Sequence, residues 1–81
     1  MPGITHTKAH RALIATIAGY LRESELSQGE WAKRCGRDEK WASAVLNGHR
    51  GVQAADLPKI ARALKTTPLQ FYKRFLAILA T

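Results

Sequence analysis

The chain has 81 residues and carries 13 Lys and Arg against 6 Asp and Glu, a net charge of +7. That length allows one domain at most, covering 1–81, and such a short chain buries only ~60% of its unfolded surface, so a second copy is a natural source of stability. Cys35 is the single cysteine, which excludes a disulfide scaffold and fits a reducing cytoplasm; no apolar run nears the ~20 residues that span a bilayer, and residues 1–10 contain no secretory signal.

In chain order the pattern is helical throughout, with no alternating β-branched run. A first helix starts between residues 5 and 8 and ends near 23, because Leu13, Ile14, Ile17, Tyr20 and Leu21 recur at three- and four-residue steps. Gly19 weakens it slightly. Ser27-Gln28-Gly29-Glu30 is a capping box that opens a second helix with Trp31, Ala32 and Cys35 inward; Gly36 stands where a left-handed residue would end it. Asp38 is the N-cap of a third helix, Glu39 suits its positive end, Ala42, Val45 and Leu46 face inward, and Asn47-Gly48 stops it. After a loop over 49–53, Leu57, Ile60, Ala61 and Leu64 mark a fourth helix, and Pro58 in its first turn places its start no earlier than about Ala54. Thr67-Pro68 then reads as cap and first residue of a fifth helix over 67–79.

The charges are unevenly placed. Glu23, Glu25, Glu30, Asp38 and Glu39 cluster, whereas every charge after Asp56 is positive: Lys59, Arg62, Lys65, Lys73 and Arg74. The excess points to a polyanionic partner, nucleic acid ahead of an anionic membrane, with a merely soluble basic domain as the plain alternative.

The informative unit is 28–47, two short helices joined by a tight turn at Gly36-Arg37, with Ala32 small where they must approach. Leu26-Ser27-Gln28, Trp31-Ala32, Cys35-Gly36, Val45, Asn47-Gly48 and the run Leu57 to Leu64 follow one another at a spacing that resembles the lambda-repressor and Cro-like helix-turn-helix family, also called the xenobiotic-response-element family. The resemblance covers 12–75 and implies an all-α, five-helix DNA-binding domain with the helix-turn-helix at helices 2 and 3. Three departures stand out. Ala42 replaces a larger branched residue, so Trp31 or Trp41 must fill the space. Glu25 replaces a frequent glycine, so a different turn is expected there. Leu21 and Leu46 stand where many members pair an arginine with a glutamate, a double change to apolar residues that strands no charge.

At ~100° per residue, Arg37, Lys40, Ala44 and Asn47 lie opposite the buried stripe of helix 3, and Glu39, Trp41 and Ser43 flank it. The resemblance makes Glu39, Lys40, Trp41 and Ala44 the base-reading candidates. Lys40 can donate to guanine, Glu39 can accept from cytosine, and Ala44 can meet a thymine methyl. Glu39 also reads as a helix-end charge, Lys40 as a solvated or phosphate-bound lysine, and Trp41 either packs beneath the helix or meets DNA. Phosphate contacts are expected from Gln28, Arg37, Ser43, Asn47, His49 and Arg50, with Asn47 also a simple helix cap. Lys8, His10 and Arg11 read better as a solvated face than as contacts to outlying phosphates.

Helix 5 has more apolar residues than one face can hide. With Leu69, Tyr72 and Leu76 closing the core, Phe71, Phe75, Ile78 and Leu79 would form a homodimer interface. A two-fold dimer implies a near-palindromic operator. Small members of the resembled family are often phage repressors, controllers of restriction-modification operons or antitoxins. The expected function is therefore a sequence-specific regulator, most simply a repressor of transcription. The alternative is an antitoxin or protein-interaction module that also regulates its own operon. The expected partners are double-stranded DNA and a second copy, with a toxin or RNA polymerase as further candidates and no membrane. A nonspecific architectural DNA binder is a third reading. No Ser-His-acid or Cys-His arrangement suggests a catalytic residue or an enzyme. His6, His10 and His49 have no metal-ligand spacing with Cys35, and no cofactor is expected. Cys35 reads as a core residue.

Overall fold

The computed structural model describes residues 7–81. Residues 5 and 6, within the expected start of the first helix, lie outside the described residues, as does His6. The described residues form five α-helices and no strand: α1 (Lys8–Ser24), α2 (Gln28–Arg34), α3 (Glu39–Leu46), α4 (Leu57–Ala63) and α5 (Pro68–Leu79). A short 3-10 turn, Ala54–Asp56, leads into α4.

Side chains written into the sequence start four of these helices. Thr7 accepts from the amide of His10 at 3.1 Å, Asp38 from Trp41 at 2.9 Å and Thr67 from Gln70 at 3.1 Å. Ser27 and Glu30 complete the capping box in both directions, at 3.1 and 3.2 Å. Each such cap satisfies amides that the helix cannot and is worth about 1 kcal/mol.

Four helices end in one way. The chain turns through a left-handed residue, whose amide and the next one donate back to the last turn, as in a Schellman motif. After α2 that residue is Gly36 (φ 74°), with the Arg37 amide bonded to the Ala32 carbonyl at 2.8 Å. After α3 it is Gly48 (φ 79°), with His49 bonded to Ala44 at 2.9 Å. After α1 and α4 it is Glu25 (φ 56°) and Lys65 (φ 62°), which carry side chains. The different turn expected at Glu25 does not occur. The Leu26 amide reaches the Leu21 carbonyl at 3.2 Å and holds Glu25 in the conformation a glycine would take. A side-chain-bearing residue there costs about 1–2 kcal/mol.

The helices pack as α1 along α5 and α2 along α3, with α4 bridging α5 and α2. Ile17, Trp31, Ala32, Ala42, Val45, Ile60, Ala61, Leu64 and Phe71 make the fully buried centre. The small Ala42 leaves volume that Trp31 and Trp41 fill, their rings 5.1 Å apart. Leu21 is buried and Leu46 packs partly buried against the same cluster, so neither place holds a charge. Thr16, buried mid-helix, donates its hydroxyl to the Ala12 carbonyl at 2.7 Å.

Helix α5 is rotated relative to the sequence expectation. Phe71, expected at a dimer surface, is buried at 2% exposure and stacks on Tyr20 at 5.8 Å. Leu69, Tyr72 and Leu76, expected to close the core, are 62%, 51% and 42% exposed. Phe75, Ile78 and Leu79 are half-buried. Arg74 contacts α1 from the same side of the helix as Phe71. Its guanidinium lies 4.4 Å over the Tyr20 ring and makes a two-pronged ion pair with Glu23 of α1. Gly19 clears the space, since a methyl group there would lie 3.1 Å from the Arg74 guanidinium. The glycine that weakens α1 as a helix gives the Arg74 guanidinium room against it.

Candidate nucleic-acid interface

The helix-turn-helix is built by three local devices. The capping box starts α2 beside the turn into it, Gly36 ends α2 within two residues of the next cap, and Asp38 starts α3. Ala32 and Ala42, both 0% exposed, let α2 and α3 approach closely, so α3 rests on α2 through one face and leaves the other outside.

On that outer face the structure brings together part of what the sequence singles out. Arg37, Lys40, Ala44 and Arg50 border one open concavity of about 580 Å³, with Gly36, Asp38 and the edge of Trp41 completing it. Arg37, Lys40 and Arg50 are exposed, and no carboxylate among the described residues forms a salt bridge with them. The recess therefore has a cationic rim around small and aromatic carbon surface.

Glu39 is exposed but turns toward the neighbouring recess at the start of α2. Its Oε1 lies 3.4 Å from where a methyl group on Gly29 would be. Lys33 lines that recess too, a residue the sequence reading did not single out. The signal for it was weak, because an exposed lysine in the last turn of a helix is unremarkable in sequence.

Trp41 resolves toward packing. It is 6% exposed, lies against Trp31, and is not a free base-reading side chain. Its outer surface carries the Arg37 guanidinium at 5.3 Å, a contact the sequence reading missed although the two residues are four apart. Ser43 and Asn47 are tied to each other, Asn47 Nδ2 donating to Ser43 Oγ at 3.2 Å, and Asn47 caps the C-terminus of α3. His49 is exposed in the following loop, and Gln28 is half-buried as the first residue of α2.

The remaining chemistry is quiet. Burial pushes the Cys35 thiol above its usual range, against a smaller pull downward from Lys59 and Arg37. A neutral buried thiol is a packing group. Among the described residues no three His, Cys, Asp or Glu side chains gather as metal ligands would. No helix among them is long and apolar enough to cross a membrane.

Fold and surface together define a helix-turn-helix fold whose second helix projects outward, with Arg37, Lys40 and Arg50 around its outer side. No family model and no curated protein sequence matches the chain. Solved structures do. The wild-type restriction-modification controller protein C.Esp1396I superposes with a TM-score of 0.87 at 14% identity, over 94% of this chain and 97% of that one. A single-substitution mutant of the same controller gives 0.85 at 15% identity, over 93% and 100%. The clp gene regulator ClgR from Corynebacterium glutamicum gives 0.79 at 17% identity, over 89% of this chain and 77% of that one. At these identities the similarity is one of fold.

Proposed function

We propose that this protein is a sequence-specific, double-stranded-DNA-binding regulator of transcription, acting in the cytoplasm as a homodimeric repressor on a near-palindromic operator. The observation that carries this reading is the outer face of α3, where Arg37, Lys40 and Arg50 surround Ala44 without carboxylate partners. Cations on and beside a projecting helix, free of salt bridges, are what a phosphate-lined major groove needs, and the small Ala44 leaves room for base edges. Folds shared with a controller protein and a gene regulator support the regulatory part.

In this reading Lys40 and Ala44 read bases from α3. Glu39 joins them by swinging from the α2 recess to accept from cytosine. Gln28, Ser43, Asn47, His49 and Arg50 hold the backbone on either side, and such contacts set register without carrying sequence information. The dimer forms through the exposed side of α5, where Leu69, Tyr72 and Leu76 recur at helical spacing with Phe75 beside them. Residues of that size left in water make an association surface. The operator then holds two half-sites about 34 Å apart.

Selection of bound duplexes from a random library tests the whole. The expected result is one enriched motif with two-fold symmetry, bound at least a thousandfold more tightly than scrambled DNA, as is typical of specific binders. Selected duplexes that never outcompete scrambled ones would reject sequence-specific binding.

A further inference from the structure

The sequence assigns Arg37 to phosphate and leaves Trp41 between packing and base contact, and the geometry points to a different division of labour. Arg37 lies outside α3, one residue before its cap, yet its guanidinium sits 5.3 Å from the centre of the Trp41 ring. That is within cation-π range. Trp41 is buried at 6% exposure and packed against Trp31. A flexible cation is thereby held beside a buried ring at the head of the helix. A guanidinium held over an aromatic ring can engage it through its face and keep its in-plane N–H donors free at the edge. Arg37 has no salt-bridge partner among the described residues, and it borders the same concavity as Lys40, Ala44 and Arg50.

A group that merely balances phosphate charge needs neither a plane nor a plate, and lysine serves as well. A planar fork with parallel donors matches the O6 and N7 acceptors of guanine, and recognition helices read bases from their N-terminal end. Stacking also removes part of the rotamer freedom an arginine otherwise loses when it binds.

We propose that Arg37 reads a guanine in the major groove and that Trp41 is the positioning residue that orients it. This rests on the DNA-reading function proposed above and names one base and the pair of residues that recognises it.

The test uses the full chain and the duplex motif selected by the wild type. Arg37→Lys is expected to lose preference for guanine at one position of each half-site by roughly tenfold or more, the scale of a bidentate contact, while binding to motif-free DNA changes less than twofold. Replacing that guanine by 7-deazaguanine, which lacks the N7 acceptor, should weaken the wild type and leave Arg37→Lys indifferent. Trp41→Phe keeps a ring and should retain most of the preference; Trp41→Leu should lose it, with both variants assayed below their melting transitions by circular dichroism. An enriched wild-type motif that Arg37→Lys binds unchanged, or a uniform loss across all sequences, overturns the Arg37 assignment and leaves the general function standing. Equal behaviour of the two Trp41 variants overturns the positioning role. A wild-type selection that enriches nothing overturns both levels.

Discussion

Helices α3 and α5 each leave one side in water, and they expose opposite chemistries. The outer side of α3 is Lys40, Ala44 and Asn47 with Arg37 and Arg50 beside it, whereas that of α5 is led by Leu69, Tyr72 and Leu76. Their inner sides differ as well. Helix α3 is seated by a buried tryptophan pair and bracketed by left-handed glycines, Gly36 and Gly48. Helix α5 is seated by Phe71 and by an ion pair, on helices that end at Glu25 and Lys65. A surface meant for a charged polymer can leave its cations hydrated until they meet phosphate. An apolar surface in water is stabilised by being covered. That contrast underlies the proposal of two partners, DNA on one helix and a second copy on the other.

The sharpest way to break this comparison is to cut the inner side of α5. Phe71→Ala should destabilise folding by about 3–5 kcal/mol in urea denaturation, whereas Leu69→Ala should stay within about 0.5 kcal/mol in dilute protein. A reversal of that order would mean that α5 docks in the opposite rotation. Next in size is the outer side. Leu76→Glu should turn a dimeric sedimentation profile monomeric at micromolar concentration, because burying a leucine is worth about 1.5–3 kcal/mol in each copy. An unchanged mass would place the association surface elsewhere or remove it.

On α3 the expected effects are smaller and more selective. Lys40→Ala should relax base preference at one operator position and cost about 1–3 kcal/mol there, while Arg50→Ala should weaken all sequences alike and flatten the salt dependence by about 0.9 in slope. If the two variants behave identically across an operator library, the division between reading and holding is wrong.

The turns sharpen the contrast between the two supports. Gly36→Ala and Gly48→Ala should each destabilise by about 1–2 kcal/mol, while Glu25→Gly and Lys65→Gly should stabilise by about 0.5–1 kcal/mol, since relief of backbone strain exceeds the added chain entropy. The smallest effect concerns acid. The hydrogen bond from Arg74 holds the Glu23 carboxyl below its usual range. A lowered folded-state value means the contribution is present at neutral pH and is lost as pH falls through that value. Glu23→Gln should therefore flatten the acid limb of a stability-pH curve below the ordinary carboxylate range, and an unaltered limb would show the pair to be inconsequential.

Much of the molecule was legible in its residues. The caps at Ser27, Asp38 and Thr67 are short-range hydrogen bonds, and so they could be read from three-residue spacings. The outward position of Lys40 followed from its place opposite Ala42 and Val45. What failed did so where two helical stripes of similar strength competed. In α5, Leu69, Tyr72 and Leu76 repeat as regularly as Phe71, Phe75 and Ile78, and periodicity cannot choose between them. The choice was made by Tyr20, Gly19 and Glu23, which lie some fifty residues earlier in the chain. Glu25 misled for a different reason: glycine is the residue preferred in a left-handed turn, but the Leu26 amide bonded back to the Leu21 carbonyl holds the same turn with a side chain present.

The amino-acid sequence by itself determined where the helices begin, that α2 and α3 are joined by a tight turn, and that Lys40 faces outward from α3, because those properties arise from neighbours within one or two turns. Only the tertiary structure decided which side of α5 is buried, that Trp41 turns inward, and that Arg37 lies across its ring. Those outcomes depend on how rigid helices share one small interior, where a change in docking angle exchanges core for surface.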